Sequence, residues 1–282
     1  MKACLRIFDP SLLLVLACLS VPASIAQAQT PSGAEQDAML AAMRRYAEQY
    51  ISHLPNFICV QETQQFEAGR KPAHWHKGDT LRSKLVFTEG NEERRLELVN
   101  NKPPGPGNRW RTPPLTTEGE FGTLLGNVLG ESTEAAFRWH GWENIRGRRV
   151  AVFDYVVDRE HTTLELTLTD LAHSVVPYRG SVYADAATGA VWRISNSAFD
   201  IPPDVRTKSI STVIEYDEIQ IGATAYLLPV QAIVSLDTGS GNVRNEMWFS
   251  GYRKFEADSS ITYTSPDAPN PPQSAPPHAN PP

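Results

Sequence analysis

Two histidines separated by one residue have the spacing in this sequence that most suggests chemistry. Side chains two positions apart in an extended segment share a face, so His74 and His76 would present two imidazoles together, as in some metal sites. The other candidates, His140, His161 and His173, are isolated, and no cysteine or carboxylate cluster adjoins the pair. His74 and His76 are therefore weak metal-ligand candidates, with two solvated loop histidines as the favoured alternative. We expect no cofactor.

Cys59 is the next candidate for chemistry. It follows Pro55 in the segment NFICVQ, where Phe57, Ile58 and Val60 surround it. A buried thiol in apolar surroundings is unreactive. The chain also lacks the G-x-S-x-G, H-E-x-x-H and phosphate-loop motifs of common enzymes. We expect no catalytic residue and favour a protein that is not an enzyme; a hydrolase or metal enzyme of unrecognised type is the alternative.

The N-terminus has the composition of a secretory signal peptide. Lys2 and Arg6 precede the apolar run 11–26, and small residues then offer a cleavage point, which predicts removal of residues 1–28. We therefore expect export to the periplasm or cell envelope. The segment before Cys18 approximates the box that precedes lipid attachment, so a lipid anchor at Cys18 is the less favoured alternative. No later segment is long and apolar enough to predict a membrane span.

Charge and proline content bound the partners and the folded part of the chain. The formal net charge of −6 argues against nucleic acid as a partner. Residues 265–282 contain eight prolines and almost nothing able to build a core, which predicts a disordered tail. This tail is a candidate contact for an envelope protein partner. Residues 29–264 contain no second linker and are expected to form a single domain.

A helix is expected to open the domain. Ser32 and Glu35 have the spacing of a capping box, and an apolar stripe at steps of three and four residues follows as far as Leu54. Pro55 ends the helix. The residues after it, including Cys59, change to the period of a strand.

Most of the remaining chain has the pattern of strands joined by turns too short for crossover helices, so the sheet must be antiparallel. We predict an α+β fold: a long curved antiparallel sheet, an incomplete β-barrel, with an N-terminal helix and a short helical insertion packed on it. Pro229 lies within a strand pattern and indicates an edge or a bulge. The basic segment 146–149 is interpreted as a solvated hairpin turn, with docking of an anionic head group as the alternative.

Two finer predictions concern which side chains face each other. A short hairpin loop would place Tyr183 opposite Trp192 as a cross-strand pair. In the last strand, alternation puts Met247 and Phe249 on one face of the sheet and Tyr252 on the other.

The helical insertion is expected to begin with a cap formed by Thr117 and Glu120. Its apolar side consists of Phe121, Leu124, Leu125, Val128 and Leu129. Glycines recur in it every four residues, and each lowers helix stability by about 1 kcal/mol relative to alanine. The insertion is therefore either a mobile lid over the sheet or a poor helix packed permanently as core.

The chain resembles the bacterial lipoprotein-carrier (LolA/LolB-like) superfamily in layout over residues 33–256. The resemblance rests on the N-terminal helix, the interrupted sheet, the hairpin GSVYADAATGAVWRIS and the strands YDEIQIGATAYLLPVQAIV. The blocks LPNFIC, GEFG and YLLP are also similar to an uncharacterised group of exported bacterial proteins. The resemblance implies an envelope protein that binds an acyl chain or another hydrophobic ligand between sheet and helices. The loop near Pro103 and the tail depart from the carriers.

The leading functional prediction is therefore a hydrophobic ligand, a lipid or the acyl chain of a lipoprotein, held between the curved sheet and the helices. The expected lining consists of Phe121, Leu124, Leu125, Val128, Trp192, Met247 and Phe249. If these positions are ordinary core, the same fold would instead be an envelope interaction or sensor module with a packed barrel.

Overall fold

The structure is an open antiparallel sheet with two helices on one of its faces. A computed structural model describes residues 30–69, 74–105, 120–162, 165–167, 173–203, 205 and 207–255. The expected signal peptide 1–28, with Cys18, and the expected tail 265–282 lie outside the described residues.

The first helix, α1, spans Gly33–His53, as the capping box predicts. The Ser32 hydroxyl accepts a hydrogen bond from the Glu35 N–H, and the Glu35 carboxylate accepts one from the Ser32 N–H. Leu54 is already extended, and Pro55 prevents continuation of the helix. The buried side of α1 consists of Ala42, Met43, Ala47 and Tyr50. No helix in the described part of the chain is both long and apolar enough to cross a membrane.

The strands are antiparallel throughout the described residues. They are β1 (Phe57–Gly69), β2 (His76–Thr88), β3 (Asn91–Val99), β4 (Ala136–Ile145), β5 (Arg148–Val157), β6 (Glu165–Thr167), β7 (His173–Val175), β8 (Tyr178–Ala184), β9 (Val191–Ala198), β10 (Ser209–Ile221), β11 (Thr224–Asp237) and β12 (Gly241–Lys254). Ten of them form one sheet in the order β3-β2-β1-β12-β11-β10-β9-β8-β5-β4, while β6 and β7 pair separately. The sheet is not closed into a barrel, and the predicted fold class is confirmed.

The helical insertion is shorter than predicted. Helix α2 spans Thr123–Leu129, and a turn of 3₁₀-helix, Glu131–Thr133, follows it. Its N-cap is Gly122, which has no side chain to cap the helix, and Glu120 instead forms a buried ion pair with Arg94 at 3.2 Å. The prediction that Glu120 caps this helix was wrong, because its carboxylate pairs with a guanidinium on the neighbouring strand. Thr117 lies outside the described residues.

Both helices pack on the same face of the sheet, which we call the helix-covered face. Met43 and Tyr50 of α1 share one buried cluster with Leu125 of α2 and with inward side chains of β1, β2, β5 and β8 through β12. Gly189, in the turn between β8 and β9, allows α1 to approach closely: a Cβ there would lie 2.3 Å from the backbone of Ala42. The turn therefore holds α1 against the sheet.

Two predicted facings were wrong because strand irregularities shift the alternation. Tyr183 pairs with Arg193, not with Trp192, since the register shifts between Tyr183 and Ala184. Tyr252 contacts the rings of the helix-covered face, because the β1–β12 register shifts beside Gly251, whose φ is +64°.

Candidate ligand cleft

Packed aromatic rings fill the part of the helix-covered face that β2, β1 and β12 form. The Phe57 and Phe87 rings stack with centroids 5.0 Å apart, and the Phe121 and Phe249 rings meet edge to face at 5.4 Å. Tyr252 contacts Phe57 at 5.4 Å. Such pairs add about 0.5–1.5 kcal/mol each beyond area burial. This cluster fixes the position of the segment that leads into α2.

Six of the seven predicted lining residues lie together in the structure, but they form part of the packed core. Phe121, Leu125, Val128, Met247 and Phe249 are buried in the main cluster, and Leu124 is partly buried against it. Trp192 belongs to a separate cluster with Ile145, Val150 and Val152. A ligand among the six would require these packed side chains to separate.

Strand β11 stops pairing with β12 near Pro229. The ladder between β11 and β12 runs from Gln231 to Asp237, whereas β11 already begins at Thr224. On its other side, β11 pairs with β10 with a register shift at Pro229, which confirms the predicted bulge. The first half of β11 therefore separates from β12.

Two tyrosine hydroxyls donate hydrogen bonds to backbone carbonyls of β11 in the part of the strand that does not pair with β12. Tyr50 of α1 donates a hydrogen bond to the Leu227 carbonyl at 2.8 Å, and Tyr252 of β12 donates one to the Pro229 carbonyl at 2.5 Å. Carbonyls two residues apart point to the same edge of a strand. The N–H of residue 229 would lie between these two carbonyls, but proline has no N–H. The two tyrosines therefore satisfy both carbonyls, and no unpaired donor lies between the carbonyls.

A cleft of about 390 Å³ lies beside this edge, between α1 and the sheet. Its lining is Tyr46, Gln49, Tyr50 and His53 of α1, Leu54 directly after α1, Ala190 directly before β9, and Trp192, Glu218, Ala225, Tyr226 and Leu227 of the strands. Most of the lining surface is apolar. The volume falls within the range of about 300–1,000 Å³ that is usual for small-molecule sites.

Trp192 forms one wall of the cleft and is held from behind. Its ring packs with Val150 and Val152, and the Arg148 guanidinium lies over it at 4.3 Å from the centroid. Arg148 also pairs with Glu218 at 2.9 Å. Stacking and ion pairing together keep the indole in place.

The turn of the β4–β5 hairpin reaches across to β10 and braces this wall. Arg146 lies 3.0 Å from a Glu215 carboxylate oxygen and 3.2 Å from one of Asp217, and it donates to the Tyr216 carbonyl at 2.8 Å. The hairpin turn expected at 146–149 is present at residues 146 and 147, and Arg148 and Arg149 already belong to β5. Arg146 and Arg148 are ion-paired rather than simply solvated.

Burial sets the protonation of the groups near the cleft. Desolvation raises the pKa of the Tyr46 phenol, and it raises that of Tyr50 well above the usual range. On β1, burial raises the pKa of the Cys59 thiol to about 12, although a hydrogen bond with Tyr252 opposes the shift. All three groups are therefore neutral at physiological pH. A neutral buried thiol is a poor nucleophile, as the sequence predicts.

The histidine pair is placed at the start of β2. His74 and His76 are exposed, and in the part of the chain that the structure describes no group of three or more His, Cys, Asp or Glu is placed to hold a metal ion. His140 is not isolated, because its Nδ1 lies 3.1 Å from Asp154, whose other oxygen accepts a bond from Ser181. Ser181 and His140 bind opposite oxygens of that carboxylate, which is not a nucleophile–base arrangement.

Sequence reasoning missed most of the cleft. The sequence indicates only that Tyr46, Tyr50 and Leu54 belong to an amphipathic stripe. Nothing in it indicates that they lie close to Leu227. Pro229 was the available signal, since it marked the place where the strand departs from its neighbour.

Comparison with known proteins finds similar chains among solved structures. No family model matches it, and no curated protein matches its sequence. A LolA superfamily protein from Nitrosomonas europaea is similar with a TM-score of 0.39 and 10% identity, over 77% of this chain and 94% of that one. A DUF1329 family protein from Desulfovibrio piger gives 0.37 and 9%, over 80% and 94%.

A third solved structure, from Vibrio parahaemolyticus, is named as an outer membrane lipoprotein-sorting protein domain. It is similar with a TM-score of 0.37 and 11% identity, over 78% of this chain and 92% of that one.

Proposed function

We propose that the protein binds a hydrophobic ligand, a lipid or the acyl chain of a lipoprotein, in the cleft between α1 and the sheet. The observation that carries this proposal is the cleft itself: about 390 Å³, lined mainly by apolar surface, beside a strand edge already satisfied by tyrosines. An apolar chain placed there gains about 25 cal/mol for each Å² of apolar surface removed from water.

The rigidity of the walls supports the proposal. Trp192 is 5% exposed and held between the valines of β5 and Arg148, and Tyr50 is fixed by its bond to Leu227. A ligand that enters a preformed cleft does not have to order its walls, which reduces the cost of binding.

The sequence-predicted lining takes a different role in this proposal. Phe121, Leu125, Val128, Met247 and Phe249, with Leu124 at their edge, form the packed base that supports the sheet, and Trp192 contacts the ligand. Opening of α2 is then unnecessary for binding.

The proposed place of action is the periplasm or cell envelope. It rests on the signal-peptide pattern of residues 1–28. The tail 265–282 is proposed to contact an envelope protein partner, since proline-rich sequences are common peptide ligands.

An interaction module with a packed sheet is the second candidate. It is favoured by one observation, that five of the predicted lining side chains are buried against one another. In that case the cleft would not bind apolar compounds, and the two functions differ in a direct measurement.

The test is a titration with a fluorescent naphthyl probe, followed by displacement with a single-chain lipid. Gln49→Trp places an indole in the cleft from an exposed position of α1, and Glu48→Trp places the same side chain on the adjacent exposed position outside the lining. We expect Glu48→Trp to bind like the unaltered protein and Gln49→Trp to bind about tenfold more weakly. Equal affinities for the two variants, or no saturable binding, would contradict the proposal.

A further inference from the structure

The polar side chains that line the cleft indicate which kind of head group it can bind. Among the described residues that line it, Glu218 bears the one formal charge when histidine is counted as neutral. Its side chain is 54% exposed, and one carboxylate oxygen lies 2.9 Å from Arg148. An ionised carboxylate offers about four acceptor sites, so this pair leaves Glu218 able to accept from a second donor.

The neighbouring cation is already engaged. Arg148 binds Glu218 and stacks on Trp192, and it lies outside the described lining of the cleft. The carboxylate of Glu218 belongs to the lining and the guanidinium does not, so an anionic head group in the cleft faces a like charge. Like charges at a half-buried site repel, whereas a donor can share the carboxylate with Arg148.

His53 adds a second acceptor to the lining. Its Nδ1 lies 2.7 Å from the Gln49 carbonyl oxygen, which can only accept, so Nδ1 carries the proton of the neutral ring. Nε2 is then a lone-pair acceptor. Tyr46, Tyr226 and Gln49 can donate or accept, the Tyr50 hydroxyl is used on the Leu227 carbonyl, and the Trp192 N–H can only donate. The preference of the cleft therefore depends on the formal charge of Glu218.

We propose that the cleft selects amphiphiles whose head group donates hydrogen bonds, such as an alkylammonium or a hydroxylated head group, over carboxylates and phosphates on the same chain. This inference rests on the proposed function and names the chemistry of its ligand. Glu218 is the residue that determines the selection, and His53 supplements it.

The test compares three probes with the same chain: dodecylammonium, dodecanol and laurate, each below its micelle concentration. With histidine counted as neutral, the formal charge of the lining is that of Glu218. We expect dodecylammonium to bind about two- to fivefold more tightly than dodecanol, and laurate more weakly than dodecanol by a similar factor, which is the size expected of a half-exposed charge pair.

Glu218→Gln should abolish the preference for dodecylammonium, because it removes the carboxylate and leaves Arg148 without this partner, and Glu218→Lys should make laurate the tightest of the three. The control Glu48→Gln removes a carboxylate of α1 that lies outside the lining of the cleft, and it should leave the order of the three affinities unchanged. Thermal unfolding of each variant checks that the fold is kept.

The outcomes separate this inference from the function on which it rests. Tightest binding by laurate, or an equal effect of Glu48→Gln and Glu218→Gln, overturns the head-group selection while the cleft is still shown to bind a chain. Failure of neutral dodecanol to bind saturably overturns both.

Discussion

The hydroxyl of Tyr50 on α1 lies 2.8 Å from the carbonyl oxygen of Leu227 on β11, 177 residues further along the chain. Tyr50 is buried, and its ring meets that of Tyr216 edge to face at 6.2 Å. One side chain thereby joins the N-terminal helix to the strand edge that forms a wall of the cleft.

Tyr50→Phe should destabilise the protein by about 1–3 kcal/mol, because it leaves the Leu227 carbonyl without its donor. Denaturant unfolding measures the free energy. Tyr183→Phe is the matched control, since Tyr183 is only partly buried and packs beneath Arg193 through its ring, and its loss should stay within about 0.5 kcal/mol. Equal losses for the two variants would show that the bond does not hold α1.

Gly189→Ala should cost more stability than the same change at Gly147. Both glycines have positive φ, +74° and +83°, so both variants lose about 1–2 kcal/mol in backbone strain. A Cβ at Gly189 would also lie 2.3 Å from the Ala42 carbonyl, while nothing lies within 4 Å of one at Gly147. Equal unfolding free energies would mean that the turn does not press against α1.

Stability should fall at alkaline pH. Desolvation holds the pKa of Tyr50, Tyr155 and Tyr216 well above that of a free phenol. The folded state therefore keeps protons that the unfolded state releases above about pH 10, so this contribution is complete below that pH and is lost progressively above it. The check is the unfolding free energy from about pH 8 to 11; a flat profile would contradict the burial of these hydroxyls.

Cys59 should be unreactive in the folded protein. Its thiol is fully buried, and desolvation raises its pKa to about 12. We expect no modification of the Cys59 peptide by an aromatic disulfide reagent until denaturant is added, as followed by mass spectrometry. Rapid modification under native conditions would show an open path to β1.

The fold follows from the sequence where the signal is local. The capping box at Ser32 and Glu35 and the stop at Pro55 define α1 within a few residues, and short turns require an antiparallel sheet. Pro229 marks a bulge because it cannot donate to a ladder.

The facing of single residues depends on irregularities that strict alternation does not contain. Gly251 shifts the register of β12 and turns Tyr252 inward, and a similar shift places Arg193 rather than Trp192 opposite Tyr183. The cleft is less predictable still, because its walls come from segments that are distant in sequence and are brought together by tertiary packing.

The most direct test of the account is to map where an alkyl chain binds. The probe is a dodecylammonium that carries a diazirine at the end of its chain, and peptide mass spectrometry locates the cross-link. We predict label on residues 46–54, at the end of α1, and on residues 225–227 of β11, and loss of this label in Gln49→Trp. Label on residues 121–129, or on Met247 and Phe249, would instead place the ligand in the packed core and contradict the cleft as the binding site.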